Sequence, residues 1–280
     1  MSSEQGPLRG FTIVVAGKGG TGKTLVSALL VRYLRRHGAV LAIDADPDSN
    51  LPEALGVESP PTVGQIREAL LDPRSRGDGS AAMPAEKLFE QKVLEAVSEQ
   101  KGFDLIVMGR GEGEGCYCAV NHILRSIIDG QARNYASVVI DSEAGLEHIS
   151  RRTARDVDVM LVVTDASARG VGTARRVCEL ARELRVQFGR TLVLVNKVTD
   201  ETRAIMADHA AAAGLEVVGY LPYDPAVAEN DSRGLPIWAL PEDSPVMRAC
   251  QDVFRRLDAV REERLRRVGV RAQAGAGKTG

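Results

Sequence analysis

Short runs of β-branched and other apolar residues recur along the chain, and between most of them apolar positions return every third or fourth residue. Phe11–Ala16 (FTIVVA), Val40–Asp44, Asp104–Met108, Ser137–Asp141, Val157–Val163, Thr191–Val195 and Glu216–Tyr220 read as strands. The first of them is a continuous apolar run, the pattern of a strand buried in a parallel sheet. Leu25–Arg36, Ala174–Arg185 and Glu201–Ala213 carry helical spacing. Strands and helices alternating in this way predict an α/β fold, a doubly wound and mostly parallel sheet. A basic amphipathic pattern over Val253–Val268 places Val253, Leu257, Val260 and Leu265 on one side, which suits a last helix packed on its own sheet. Residues 1–268 are expected to form a single domain, and 269–280 a disordered tail.

The turn after the first strand holds the most informative residues. Gly17–Thr24 reads GKGGTGKT, with Gly17 and Gly22-Lys23-Thr24 fitting the phosphate-loop pattern G-x-x-x-x-G-K-[ST]. In such a loop the backbone N–H groups of Gly17, Gly19, Gly20, Thr21 and Gly22 can cradle phosphate. Lys23 reaches the β/γ oxygens and the Thr24 hydroxyl ligates Mg²⁺. The strand before it and the helix after it supply the free N–H groups and the dipole an anion needs. Gly275–Thr279 (GAGKT) is a useful contrast, because no strand precedes it and no helix follows. Lys18 is a second lysine at the mouth of the loop. Its side chain starts away from its own nest, so it can meet a nucleotide bound across a dimer interface.

In an open α/β sheet ligands bind at the carboxyl ends of the strands, and the other polar clusters fall there too. Asp44, Asp46 and Asp48 alternate directly after the second strand, costly for carboxylates unless a cation is near. Asp44 suits the Mg²⁺ sphere and Asp46 suits orienting or deprotonating the attacking water. Asp48 fits either role, and a solvated acidic turn is the plainer alternative for the whole cluster. Val138-Val-Ile-Asp141 is an apolar run ending in the aspartate that holds Mg²⁺ in such sites. Ser142–His148 (SEAGLEH) resembles a switch segment, with Gly145 free to move. Asn196 ends a later strand, where an amide can read the edge of adenine or cap a helix.

Composition narrows the partners. Lys plus Arg is 36 against 38 Asp plus Glu, so no overall basic field points to nucleic acid. Aromatic residues at 4% argue against a base-stacking platform. No apolar run reaches membrane-spanning length and the start lacks a signal core, so stable membrane insertion is not expected and a cytoplasmic location is. In that compartment the four cysteines are thiols or metal ligands rather than disulfides. Cys178 and Cys250 fall in helical patterns and read as core. Cys116-Tyr117-Cys118 follows a glycine-rich stretch, and thiols at i and i+2 of an extended segment share a side. They can share one soft metal ion, two copies would supply four thiolates, and His122 is an additional ligand option.

Taken together these residues resemble the MinD/ParA/NifH group of deviant Walker P-loop ATPases. Within it they are most similar to the CooC-type nickel-insertion ATPases that mature carbon monoxide dehydrogenase. The resemblance rests on GKGGTGKT at Gly17, DADPDSN at Asp44, the GCYC segment with Asn121 and Arg125, DSEAGLEH at Asp141, and PYDPAVAENDSRGLPI from Pro222. It spans roughly 11 to 262. It implies an ATPase that hydrolyses ATP to ADP and phosphate as a homodimer. Lys18 would contact the partner's ATP, Lys23 and Thr24 would bind phosphate and Mg²⁺, Asp46 would activate water, and the loop at Pro222 and Tyr223 would lie on the nucleotide side. Cys116 and Cys118 of both subunits would hold Ni²⁺ or Zn²⁺ for a client metalloenzyme like carbon monoxide dehydrogenase. The competing expectation is a ParA- or MinD-type positioning ATPase acting on DNA or a membrane, which has no need of the cysteine pair.

Overall fold

A computed structural model describes residues 10–58, 60–71, 85–110, 134–143, 157–183 and 188–276. Among the described residues eight strands form one sheet: β1 (Phe11–Ala16), β2 (Val40–Ala45), β3 (Ser98–Gln100), β4 (Phe103–Val107), β5 (Ser137–Ser142), β6 (Val159–Asp165), β7 (Arg190–Val198) and β8 (Val217–Pro222). Their order across the sheet is β3-β4-β2-β5-β1-β6-β7-β8. Every pairing is parallel except β3 with β4, a short antiparallel edge. The expected α/β doubly wound sheet is therefore present. Each expected strand is found within two or three residues of its place, while β3 carries no apolar signal that could announce it.

The helices are α1 (Lys23–Leu34), α2 (Leu51–Ala54), α3 (Val63–Leu71), α4 (Ala85–Glu95), α5 (Ala168–Glu183), α6 (Asp200–Ala212), α7 (Pro225–Ser232) and α8 (Pro245–Ala276). They cover both faces of the sheet. On one face Ile13 and Val15 of β1 join a core built with Leu29 and Leu30 of α1 and Phe254 and Leu257 of α8. On the other Val14 and Ala16 pack with Val63, Val93, Val171, Cys178 and Met206 from α3 to α6. Alternation along one strand thus feeds two separate cores, which is why β1 reads as continuously apolar. Cys178 and Cys250 are buried as expected, at 4% and 3% exposure.

The last helix begins at Pro245, ahead of the amphipathic pattern, and its backbone continues past Gly269 to Ala276. The start is set by Asp224, a buried side chain that caps two helices. One oxygen accepts the N–H of Ala226 at 3.0 Å in α7, and the other the N–H of Val246 at 3.1 Å in α8. Val253 and Leu257 face the sheet as the amphipathic pattern requires, while Leu265 stays exposed.

Candidate functional site

β1 runs through the middle of the sheet and delivers Gly17–Thr24 to its carboxyl edge. Two glycines there have no substitute. Gly17 sits at φ 144°, and a Cβ added to it would lie 2.2 Å from the Val163 carbonyl oxygen of β6. Gly22 sits at φ 93° as the N-cap of α1, and its Cβ would lie 2.4 Å from the Asn196 amide nitrogen. Both are left-handed, close-approach positions that a side chain cannot enter. The loop closes on itself through the Thr21 hydroxyl, which donates to the Lys18 carbonyl at 2.8 Å. Lys18 is exposed at the mouth, Gly19 and Gly20 are open to solvent, and Lys23 is buried beneath them.

Two aspartates stand side by side below the loop. Register pairs Asp44 at the end of β2 with Asp141 at the end of β5. Both are almost wholly enclosed, at 0% and 1% exposure. Burial, reinforced by the neighbouring Asp141 charge, pushes the Asp44 carboxyl up to about 7. Burial likewise pushes Asp141 up to about 6, against the pull of hydrogen bonds from Thr24 and Ser27 and of the Lys23 charge. Ser27, one helical turn beyond Thr24 and on the same face of α1, donates to Asp141 Oδ1 at 3.0 Å. Sequence reading passed over it, although its spacing from Thr24 on an otherwise apolar helix was the available signal.

Asp141 Oδ2 is buried with no hydrogen-bond partner among the described residues. An orphaned carboxylate oxygen beside a threonine hydroxyl, at the foot of a phosphate loop, fits a hard cation with oxygen ligands. Mg²⁺ is such an ion, and Thr24 and Asp141 are the residues that could hold it. Asp44 carries a second task that the sequence did not suggest. Its two oxygens accept the N–H groups of Asp46 at 3.1 Å and Leu51 at 2.9 Å, folding the acidic turn back over the end of β2. Asp46 in turn accepts the Asp48 N–H at 3.0 Å and remains half-buried at the edge of the site. Asp48 is exposed and pairs with Arg110.

Asn196 lies under the loop. Its amide donates to the Thr21 carbonyl at 2.9 Å and accepts the Lys197 N–H at 2.9 Å, and the residue is 2% exposed. Both ends of the amide thus brace the loop and the end of β7. Beside the loop opens a cavity of about 380 Å³. Gly22, Thr24, Leu25 and Ala28 form its inner end, and Val227, Asn230 and Leu235 its outer wall, with Lys197 between. The wall therefore comes from α7 and the segment after it, just beyond Pro222 and the exposed Tyr223. Cys116, Cys118, Asn121, His122, Arg125 and the stretch from Ala144 to His148 lie outside the described residues.

A strand, a glycine loop, a helix N-terminus, a buried lysine and two strand-end aspartates converge on one edge beside a nucleoside-sized cavity. The model of the CobQ/CobB/MinD/ParA nucleotide-binding domain matches residues 12–237. The chain belongs to this family of P-loop ATPases. Among its relatives is an uncharacterised ATP-binding protein of Methanocaldococcus jannaschii, 48% identical over 246 residues, covering 88% of this chain and 97% of that one. The carbon monoxide dehydrogenase accessory protein CooC of Rhodospirillum rubrum is 32% identical over 266 residues, covering 90% and 97%. The MinD cell division protein of Aquifex aeolicus superposes with a TM-score of 0.64 at 25% identity, covering 89% and 97%. No helix of this ATPase among the described residues is long and apolar enough to cross a membrane.

Proposed function

We propose that this P-loop ATPase is an ATP-driven metal-delivery protein of the CooC type, with nickel or zinc as cargo and a carbon monoxide dehydrogenase-like enzyme as client. The similarity to CooC over nearly the whole length of both chains carries the reading, with Cys116 and Cys118 as the residues that distinguish it from a positioning ATPase.

The loop amides and Lys23 bind the β and γ phosphates, and the cavity beside α7 takes the nucleoside. Thr24 and Asp141 hold Mg²⁺, which when bound supplies positive charge to the phosphate oxygens. Asp46 orients the water that attacks the γ phosphorus as the bond to the bridging oxygen breaks, leaving ADP and phosphate. Asp44 keeps Asp46 at the rim by fixing the backbone of the turn. Lys18, exposed at the mouth, reaches the nucleotide of a second copy, so that two chains close around two nucleotides. Cys116 and Cys118 from each would then make a four-thiolate site between the subunits, opened when hydrolysis loosens the dimer.

The test is anaerobic binding of nickel and zinc in the presence of a non-hydrolysable ATP analogue, for the wild type and for Cys116→Ser with Cys118→Ser. About half an ion per chain, lost in the double variant, is expected for a site shared by two subunits. Metal retained in the double variant sinks the cysteine assignment. The MinD likeness gives equal support to a second reading, an ATPase that positions cargo on DNA or a membrane. It predicts no cysteine-dependent metal at all.

A further inference from the structure

The end of β7 contains a backbone feature that the phosphate loop alone does not explain. Lys197 has φ 59°, one of two non-glycine residues among those described with positive φ. A lysine there carries strain that glycine would not. The pairing of β7 with β8 also slips between Val195 and Val198, so one extra residue is inserted at this corner. A bulge of this kind re-aims a side chain. The side chain it re-aims is that of Lys197, whose ammonium donates to the Gly20 carbonyl at 3.2 Å. The residue before it, Asn196, donates to the next carbonyl of the loop, that of Thr21. Two consecutive side chains thus hold two consecutive loop carbonyls.

We propose that Lys197 is a positioning residue for nucleotide binding: with Asn196 it latches the carbonyls of Gly20 and Thr21 so that their peptide planes keep the orientation in which the loop receives phosphate. The inference rests on the reading of Gly17–Thr24 as the phosphate loop and adds a component to it. A peptide plane has its carbonyl and its N–H on opposite sides, so fixing the carbonyls of Gly20 and Thr21 also fixes the amides of Thr21 and Gly22. Gly20 sits at φ 80° with open space beside its Cα, and the same peptide plane is held on its other side by the Thr21 N–H, which donates to the Lys18 carbonyl at 3.4 Å. An unlatched loop would sample other orientations of these planes, and nucleotide would have to reorder it on binding. The strained backbone at Lys197 is the local cost of that preorganisation. It implies that stability and nucleotide affinity respond to Lys197 in opposite directions.

The experiment compares Lys197→Met, Lys197→Arg and Lys197→Gly with the wild type. Affinities for fluorescent ATP and ADP analogues, steady-state hydrolysis, and melting without nucleotide are measured on the full chain. Lys197→Met should weaken ATP and ADP alike by about fivefold, the value of one charged hydrogen bond partly exposed to water. KM should rise by the same factor while kcat changes less than twofold. Lys197→Arg, which keeps a donor, should restore affinity to within about twofold of the wild type. Lys197→Gly should lose affinity at least as far as Lys197→Met, yet melt about 2–4 °C higher without nucleotide, because the left-handed strain is relieved. Wild-type nucleotide binding with an unchanged Kd in Lys197→Met overturns the latch and leaves the phosphate-loop reading standing. A wild type that binds no nucleotide overturns both.

Discussion

Replacing Asp141 by asparagine should change how the stability of the metal-free protein depends on pH, and the size of the change follows from burial. Asp141 is 1% exposed and its carboxyl is pushed from 3.8 up to about 6. A carboxyl raised in the folded state stabilises the fold fully below its unfolded pKa, and that stability is lost as pH rises through the folded value. The window is therefore about pH 4 to 6. A shift of about two units corresponds to about 3 kcal/mol, of which about 2 kcal/mol falls between pH 4.5 and 7.5. Asparagine does not titrate, so the variant keeps what the wild type loses. It also relaxes part of the upward push on Asp44, whose second cause is the Asp141 charge. A fixed offset accompanies the exchange, since an amide N–H2 in place of the orphaned Oδ2 lacks an acceptor, but that offset does not vary with pH.

Melting of both proteins in chelator at pH 4.5 and 7.5 reads the difference directly. The variant should gain about 5 °C on the wild type over that interval, by the usual conversion of stability to melting temperature for a chain of this size. A gap constant to within about a degree would refute the reasoning, because it would mean that Asp141 is not the buried, unneutralised charge the structure depicts. Mg²⁺ with ADP should then raise the wild-type midpoint at pH 7.5 and leave the Asp141→Asn midpoint nearly unmoved.

Three further outcomes test other parts of the site. Gly17→Ala should destabilise by about 3 kcal/mol or fail to fold, since its Cβ would meet the Val163 carbonyl at 2.2 Å in a left-handed backbone; denaturant unfolding measures it. Asn196→Ala removes the donor to Thr21 and the acceptor for Lys197 in a buried place, and should cost about 2 kcal/mol of stability together with nucleotide affinity; unchanged calorimetric binding and melting would refute its holding role. Lys18→Ala should abolish ATP-driven dimerisation while leaving nucleotide binding to the isolated chain largely intact, because Lys18 is exposed at the mouth rather than buried in its own loop. Light scattering with and without ATP analogue decides this, and a dimer undiminished in the variant would exclude the cross-interface role.

Much of the machinery is local, and local features are legible in a sequence. The phosphate loop is contiguous, with its glycines, Lys23 and Thr24 fixed in spacing by one turn of backbone. The parallel sheet follows from apolar runs that bury both faces, and Asp44 and Asp141 can be placed at strand ends without knowing the strand order. Chain continuity alone determined those things. The tertiary structure decided what sits beside what. Only the order β2-β5-β1 puts Asp44 next to Asp141, whose charge adds to burial in raising the affinity of Asp44 for a proton. Only the approach of β6 and β7 to the loop shows why Gly17 and Gly22 admit no side chain, and that Asn196 braces the loop through the Thr21 carbonyl. Ser27 on α1 and Asp224 capping two helices are isolated polar residues whose partners lie 114 and 22 positions away, and no periodicity reports such pairs. Distance along the chain says nothing of distance in space once loops close, and it is in those long-range contacts that burial, charge and hydrogen bonding acquire their magnitudes.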